Sequence, residues 1–217
     1  LFRSTTSITA AFDNGVKEII PVGSVEEARK WKKKGYLVAS ERDGKTLDFA
    51  DFGNSAFNFM TPEVKGKTIA YSTTNGTQAI EMANKNGEEV AIGSFNNLKS
   101  LTDWIIELNK NVVILCSGYK NKFNLEDSFY AGALAHHLIQ SGNYTAECDS
   151  VTVAIDMWLS GKDNIEMYIN KAAHRERLRN RGQDDVLEYT FTIDNSSALP
   201  VLRKSDKRLI DLSVNKE

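Results

Sequence analysis

Small hydroxyl and amide side chains recur in this sequence where predicted strands run into predicted helices. Four such turns cover residues 3–7, 72–77, 93–97 and 116–118. The free backbone N–H groups of a helix start, with Ser or Thr hydroxyls beside them, can bind an anion. Each turn by itself is more typical of a plain helix cap. Four of them at one edge of a sheet favour an anionic ligand.

The first of these turns also carries a cation, Arg3. A guanidinium group is a planar fork of N–H donors that suits phosphate, carboxylate or sulfonate. A second basic segment, with arginines at alternate positions over 175–181, is typical of a solvated helix face. One or two of these arginines could still reach an anionic ligand.

Two adjacent carboxylates, Glu126 and Asp127, stand at the predicted start of a helix. Mg²⁺ prefers oxygen ligands and keeps several of its waters, so such a pair could hold it. The helix dipole by itself also favours acidic residues in a first turn. Both interpretations stay open from the spacing alone.

Two further segments could contribute to a site. Glu41 ends a predicted strand and could act as a ligand or a base, and Gly53 and Asn54 lie in a loop whose backbone could approach a ligand closely. A plain loop is an equally good interpretation of 51–55. His136 and His137 are neighbours on a predicted helix, so they point in different directions and are not expected to share a metal.

Predicted strands and helices alternate along most of the chain. The spacing predicts strands at 18–22, 36–40, 67–72, 89–93 and 111–116, and helices at 7–14, 24–34, 75–86, 97–108 and 125–140. It further predicts helices at 150–158 and 165–179, a strand at 184–193 and a charged tail at 204–217. This alternation predicts an α/β fold whose largely parallel or mixed sheet is covered on both faces. We expect one domain with at most two lobes, at about 1–110 and 111–203.

The composition disfavours several classes of function. The 27 Lys and Arg residues against 29 Asp and Glu residues give no basic excess for nucleic acid or an anionic membrane. The apolar runs are far shorter than the roughly 20 residues that a membrane span needs. The two cysteines form no CxxC pair, which disfavours a thiolate zinc site and predicts a cytoplasmic protein. The signature motifs of serine hydrolases, zincins and P-loop proteins do not occur either.

Taken in order along the chain, the turn motifs resemble those of one family. They read Arg-x-Thr-Thr at 3–6, Gly-Asn-Ser at 53–55, Thr-Thr-Asn-Gly-Thr at 73–77, Gly-Ser at 93–94 and Leu-Glu-Asp at 125–127. From residue 1 to about residue 202 the sequence is similar to the 2-phosphosulfolactate phosphatase (ComB-like) family. It departs from that family at 174–177, where the basic segment reads His-Arg-Glu-Arg. Family members also carry an Asp ahead of the first motif, outside this sequence, so the catalytic nucleophile stays open.

The resemblance implies a three-layer α/β/α enzyme, often a homodimer, that uses Mg²⁺ to hydrolyse 2-phosphosulfolactate, a step toward coenzyme M. It implies catalytic roles for Arg3, Glu126 and Asp127, with both carboxylates binding the Mg²⁺. The implied substrate-binding residues are Ser4, Thr5, Asn54, Thr73, Thr74, Asn75, Gly76, Asn97, Ser117, Arg175 and Arg177.

Two alternative functions stay open at this point. A phosphatase of the same fold could act on another small phosphorylated hydroxy acid. A non-catalytic domain could keep the anion-binding turns without the chemistry. A Rossmann-type dehydrogenase is a weaker candidate because the Gly-rich dinucleotide fingerprint does not occur in the sequence.

Overall fold

A mixed six-stranded sheet forms the centre of the computed structural model, which describes residues 2–42, 45–73, 75–118, 122–172 and 186–215. The strands are β1 (Glu18–Pro21), β2 (Leu37–Arg42), β3 (Lys45–Thr46), β4 (Thr68–Ser72), β5 (Pro200–Arg203) and β6 (Arg208–Asp211). The described α-helices are α1 (Phe2–Asp13), α2 (Val25–Lys33), α3 (Gly76–Asn86), α4 (Leu98–Leu108), α5 (Leu125–Gln140), α6 (Asp149–Gly161), α7 (Ile165–Ile169) and α8 (Leu187–Phe191).

The strands are ordered β3-β2-β4-β1-β6-β5. β4 pairs in parallel with both β1 and β2, whereas β3, β5 and β6 join their neighbours antiparallel. The register sets Ser40 of β2 beside Ser72 of β4. Since β1, β2 and β4 run the same way, their carboxyl ends meet at one edge, where ligands bind in open α/β sheets.

The sheet is covered on both faces because successive strand residues point in opposite directions. Ile69 and Tyr71 of β4 pack with Ile8 and Phe12 of α1. The alternate residue of β4, Ala70, packs on the other face in the cluster that contains Ala28 of α2. The result is a layer order of helix, sheet and helix.

A second core joins α4, α5, α6 and α7 beside the sheet. Phe95 stacks on Trp158 at 5.9 Å between ring centroids, and Phe129 stacks on Tyr168 at 4.8 Å. Gly132 permits the contact between α5 and α6, since a Cβ there would lie 1.8 Å from the Ala154 carbonyl oxygen. This core is continuous with the sheet through Val201 of β5.

The structure confirms the predicted α/β class and mixed sheet. It is also consistent with the three layers that the family resemblance implies. The prediction of a turn at 3–7 is wrong, because these residues belong to α1, which begins five residues earlier than predicted. The predicted charged tail is also wrong in part, because β6 lies inside the sheet next to β1. Of the helix predicted at 165–179, α7 is observed, and residues 173–179 lie outside the described chain.

Three strand predictions also fail. Residues 111–116 are irregular, with Val113 89% exposed, and 89–93 contributes only an antiparallel bridge from Ala91 to Val201. The β5–β6 hairpin occupies the sheet positions next to β1, and 89–93 reaches the sheet only at β5. In the described part of 184–193, α8 replaces the predicted strand. A local apolar pattern cannot reveal such competition for sheet positions, because that is decided between distant segments.

Candidate active site

The first turn of α1 places Ser4 at the carboxyl edge of the sheet. Its side chain is buried, and among the described residues its Oγ has no hydrogen-bond partner. A buried hydroxyl without a partner loses its bonds to water and gains nothing from the protein. Ser4 therefore has an unmet capacity for a hydrogen bond next to the other strand-end turns.

The turn after β4 lies directly against Ser4. Thr73 caps α3, because its Oγ1 accepts the Thr77 N–H at 3.2 Å and its carbonyl accepts the Thr77 hydroxyl at 3.1 Å. A Cβ on Gly76 would lie 2.8 Å from Thr73 Oγ1 and 3.2 Å from Ser4 Oγ. Only glycine leaves room for these groups, so the first two predicted motifs are brought together here.

The start of α5 forms a third part of the site. Asn124 caps the helix by accepting the Asp127 N–H at 3.1 Å. The Asp127 carboxylate accepts the Gly118 N–H at 2.9 Å and the Ser117 hydroxyl at 3.3 Å, both at Oδ2. Asp127 therefore ties the 117–118 turn, in which Gly118 has a φ of 65°, to the helix.

These three helix starts all line one cavity of about 960 Å³. The residues that they and the 117–118 turn contribute to its wall are Ser4, Thr5, Gly76, Thr77, Ser117 and Asp127. The wall also includes apolar side chains such as Ile80, Ile92, Leu101 and Trp104. Helix N-termini carry partial positive charge, so three of them on the wall of one cavity favour the binding of an anion.

Glu126 is buried but does not line this cavity, unlike its neighbour Asp127. Adjacent residues on a helix project about 100° apart, so the two carboxylates diverge from a common helix start. Within the described ranges, no group of three or more His, Cys, Asp or Glu side chains is arranged to hold a metal ion. The geometry brings only Asp127 of the predicted pair to the cavity.

Asn97 stabilises the turn at 93–97 through hydrogen bonds with the backbone. It is fully buried, its Oδ1 accepts the Ser94 N–H at 2.9 Å, and its Nδ2 donates to the carbonyls of Ile92 and Ala198. The side chain does not line the cavity. A direct contact with substrate therefore finds no support in the geometry.

Asn54 lies beyond the cavity wall, between α1 and β2. Its carbonyl accepts the Ser7 hydroxyl at 2.7 Å, and its N–H donates to Glu41 Oε2 at 3.3 Å. Asn75 is half-buried and directly precedes α3, without a side-chain capping bond. Thr74, Arg175, Arg177 and the side chain of Arg3 lie outside the described part of the structure.

Arg42 is a residue that the sequence analysis missed. It ends β2 at the same sheet edge, and its Nη2 donates to Ser72 Oγ at 2.9 Å, one residue before Thr73. No periodicity in the sequence marks Arg42, because its position beside Ser72 depends on the pairing of β2 with β4. A guanidinium group there adds positive charge near the anion-binding turns.

Tyr130 was also missed, and it lines the cavity beside Gly93. A Cβ on Gly93 would lie 2.3 Å from the Tyr130 hydroxyl oxygen, so glycine is required for this approach. Burial raises the pKa of Tyr130, and the Asp194 carboxylate adds to the increase. The phenol is therefore neutral across the physiological pH range, and it adds no negative charge to the cavity.

A mixed α/β sheet with three helix starts on the wall of one cavity is an arrangement typical of enzymes that bind an anion at a sheet edge. Residues 1–205 match the family described as 2-phosphosulpholactate phosphatase. The chain belongs to this family, whose members are phosphatases that act on phosphate monoesters. None of the described helices is long and apolar enough to cross a membrane.

Similar proteins from three organisms are described as probable 2-phosphosulfolactate phosphatases. A probable 2-phosphosulfolactate phosphatase of Caldanaerobacter subterraneus subsp. tengcongensis is 31% identical over 93% of this chain and 84% of its own length. The corresponding protein of Thermotoga petrophila is 31% identical over 93% of this chain and 86% of its own length. That of Prochlorococcus marinus is 32% identical over 94% and 87%, respectively.

Proposed function

We propose that this protein hydrolyses 2-phosphosulfolactate to sulfolactate and inorganic phosphate. The observation that carries the proposal is that three helix starts, with the buried Ser4 hydroxyl among them, line the same cavity. The relatives described as probable 2-phosphosulfolactate phosphatases support this substrate.

The helix-start residues on the cavity wall would hold the phosphoryl group. Phosphoryl transfer depends on positioning and on neutralising the charge of the phosphoryl oxygens. The N–H groups of the first turns of α1 and α3 and the Ser4 hydroxyl can donate to those oxygens. Gly76 keeps the space between Ser4 and Thr73 open for them.

We further propose that the reaction depends on Mg²⁺. Asp127 is a buried carboxylate on the cavity wall with hydroxyl groups nearby, and Mg²⁺ at phosphate sites commonly uses one or two carboxylates, waters and the substrate itself. This donor set fits the ion, with Asp127 as the residue that would hold it. When bound, Mg²⁺ would neutralise phosphate charge and make a bound water more acidic.

The proposal is tested by phosphate release from racemic 2-phosphosulfolactate, with Mg²⁺ and with EDTA. We expect release that EDTA abolishes and that Asp127→Asn reduces strongly. Asp149→Asn is the matched control, because Asp149 also stands in the first turn of a helix but is exposed. Equal activity of Asp127→Asn and wild type would contradict the role of Asp127.

A larger phosphorylated hydroxy acid is a second candidate substrate. The cavity of about 960 Å³ is at the upper end of the range for drug-sized ligands, about 300 to 1,000 Å³, and a three-carbon acid would fill only part of it. A panel of phosphorylated hydroxy acids of increasing size separates the two candidates. Higher kcat/KM for a longer member than for 2-phosphosulfolactate would favour the second.

The proposal includes a cytoplasmic homodimer that acts in coenzyme M synthesis. Both cysteines are free, as expected for a reducing compartment. Val113 and Leu115 expose apolar side chains that a second copy could cover. Light scattering of the purified protein measures the oligomeric state, and a monomer at micromolar concentration would contradict the dimer.

A further inference from the structure

A second, smaller cavity shares part of its wall with the cavity described above. It has a volume of about 350 Å³, and its wall is formed by Met82 of α3, the 116–118 turn, the segment 122–124 and Ser128 of α5. Met82 and the first two residues of the turn also line the larger cavity. The two cavities are therefore neighbours on either side of this turn.

The two cavities differ in charge. Lys122 is the only charged side chain on the described wall of the smaller cavity. None of the salt bridges between described residues involves Lys122. The described wall of the larger cavity carries one lysine, Lys110, and three carboxylates, those of Glu88, Glu89 and Asp127. The smaller cavity is therefore the better place for a further negative group of a ligand.

The other polar groups of the smaller cavity also suit an anion. Ser128 contributes a hydroxyl group and Asn124 an amide group, and both can donate hydrogen bonds. Asn124 is in addition the N-cap of α5, a helix of 16 residues, whose N-terminus carries partial positive charge. The ammonium group of Lys122 thus lies in a cavity where the neighbouring groups favour the same kind of ligand.

Backbone contacts hold Lys122 beside the proposed phosphate site. A Cβ on Gly118 would lie 2.6 Å from the Lys122 carbonyl oxygen, and Gly118 has a φ of 65°, so glycine is required on both counts. The Gly118 N–H in turn donates to Asp127 Oδ2 at 2.9 Å. Lys122 therefore packs on the turn that Asp127 fixes at the wall of the larger cavity.

The substrate of the proposed reaction has more than one anionic group. 2-Phosphosulfolactate carries a sulfonate and a carboxylate besides its phosphoryl group, and a lysine ammonium group donates charge-assisted hydrogen bonds to either acid. We propose that Lys122 and the smaller cavity form a second subsite, which binds one of these two acid groups while the phosphoryl group lies in the larger cavity. This inference rests on the proposed function and adds a specificity-determining residue to it.

The experiment compares three phosphate esters in wild type and Lys122→Gln. They are 2-phosphosulfolactate, 2-phospholactate, which lacks the sulfonate, and the phosphate ester of isethionate, which lacks the carboxylate. We expect Lys122→Gln to lower kcat/KM for 2-phosphosulfolactate about fivefold or more, mainly through KM, because a hydrogen bond to a charged group is lost. The ester without the acid group that Lys122 binds should be unaffected by the substitution, with Ki in place of KM if that ester is not turned over.

Two further variants separate this role from a general effect of charge or folding. Lys122→Arg keeps the positive charge, so its kcat/KM should stay within about twofold of wild type. Lys110→Gln is the matched control, because Lys110 also lies on a cavity wall but its Nζ is paired with Glu88 Oε2 at 2.9 Å. Its KM should equal that of wild type, and melting temperatures show that each variant is folded. Equal losses on all three esters, or no loss on any, in Lys122→Gln would overturn the proposal.

Binding of sulfolactate tests the subsite without turnover. Sulfolactate has both acid groups and no phosphoryl group, and isothermal titration calorimetry gives its Kd for wild type and Lys122→Gln. Weaker binding to Lys122→Gln, with no hydrolysis of 2-phosphosulfolactate by wild type, would support the subsite and contradict the proposed function alone. Hydrolysis by wild type with the same sulfolactate Kd in both proteins would contradict the subsite alone, and so would hydrolysis without any binding of sulfolactate.

Discussion

The two ends of the parallel strands carry polar clusters of opposite kinds. At the amino end of β1, Glu18 accepts hydrogen bonds from Arg203 at 2.7 Å and Arg208 at 2.5 Å. At the carboxyl end, the buried oxygens Ser4 Oγ and Asn54 Oδ1 have no partner among the described residues. The Glu18 carboxylate is therefore paired with two guanidinium groups, whereas the two oxygens at the carboxyl end have no hydrogen-bond partner among the described residues.

This difference separates a structural cluster from a binding site. A buried polar atom without a partner costs about 1 to 3 kcal/mol of folding stability. A cavity wall that retains the Ser4 hydroxyl without a partner among the described residues is suited to a ligand that restores the missing bond. The Glu18 cluster has no such deficit, so we expect it to affect stability and not catalysis.

The largest expected effect comes from filling the space between Ser4 and Thr73. A Cβ added by Gly76→Ala would lie 2.8 Å from Thr73 Oγ1, so the turn must shift. A displacement near 1 Å in a site can cost about 100-fold in rate, and we expect a loss of that order in phosphate release. Gly23→Ala is the control, because no atom lies within 4 Å of a Cβ there. Equal rates for the two variants would remove Gly76 from the site.

Removing the unpartnered hydroxyl should have a smaller effect on rate. Hydrogen bonds to charged groups contribute about 1.5 kcal/mol or more, so Ser4→Ala should lower kcat/KM about tenfold. Its free energy of unfolding should stay the same or rise, because the Ser4 hydroxyl makes no hydrogen bond to the described residues.

Thr6→Val provides the comparison for Ser4→Ala. The Thr6 hydroxyl is also buried without a partner among the described residues, but Thr6 does not line the cavity. Kinetics and urea unfolding should show unchanged activity and unchanged or higher stability for Thr6→Val. A similar loss of activity in both variants would mean that the hydroxyls act through helix packing.

Substitutions in the Glu18 cluster should change stability and leave activity unchanged. Glu18→Gln should lower the free energy of unfolding by about 1 kcal/mol, because both arginines lose a charged partner in a network that is partly open to water. The activity of the folded protein should not change. Glu88→Gln breaks an exposed pair with Lys110 and should have almost no effect on stability. A loss of kcat in Glu18→Gln would contradict the division between the two ends.

The pH dependence of stability gives the smallest and most specific test. Burial tends to raise the pKa of Glu18, but the hydrogen bonds and charges of Arg203 and Arg208 outweigh it and lower the pKa below 4.5. The unfolded chain then binds more protons in this range, so the contribution of Glu18 is complete above pH 4.5 and disappears as the pH falls through the folded-state pKa. The difference in unfolding free energy between wild type and Glu18→Gln should shrink over that range. A difference that is constant from pH 7 to pH 3 would show that the charge does not matter.

The sequence predicted the parts of the fold that depend on local patterns. The helices of 24–34, 97–108 and 125–140 have cap residues and apolar spacing that local physics explains, and α2, α4 and α5 occur there. The strand predicted at 111–116 and the tail at 204–217 failed, because sheet membership is a competition between distant segments. The β5–β6 hairpin takes the place beside β1, and no property of 111–116 alone could indicate this.

Candidate site residues divide in the same way. The turn motifs were visible as clusters of Ser, Thr, Asn and Gly, and the structure brings Ser4, Gly76 and Asp127 to one cavity. Arg42 was overlooked and Glu41 was considered without being assigned, because a single charged residue at a strand end has no distinctive pattern. Asn97 lies in one of the strand-end turns, but its side chain forms hydrogen bonds with backbone groups of the protein and does not line the cavity.

By itself, the sequence determined the α/β class, the positions of the capped helices and the chemistry of the strand-end turns, since each depends on residues close together in the chain. Only the tertiary structure decided which of these turns share a cavity, which carboxylate of the pair Glu126 and Asp127 reaches it, and which buried oxygens have no partner among the described residues. These properties depend on distances between segments far apart in the chain, and such distances are set by packing and strand order.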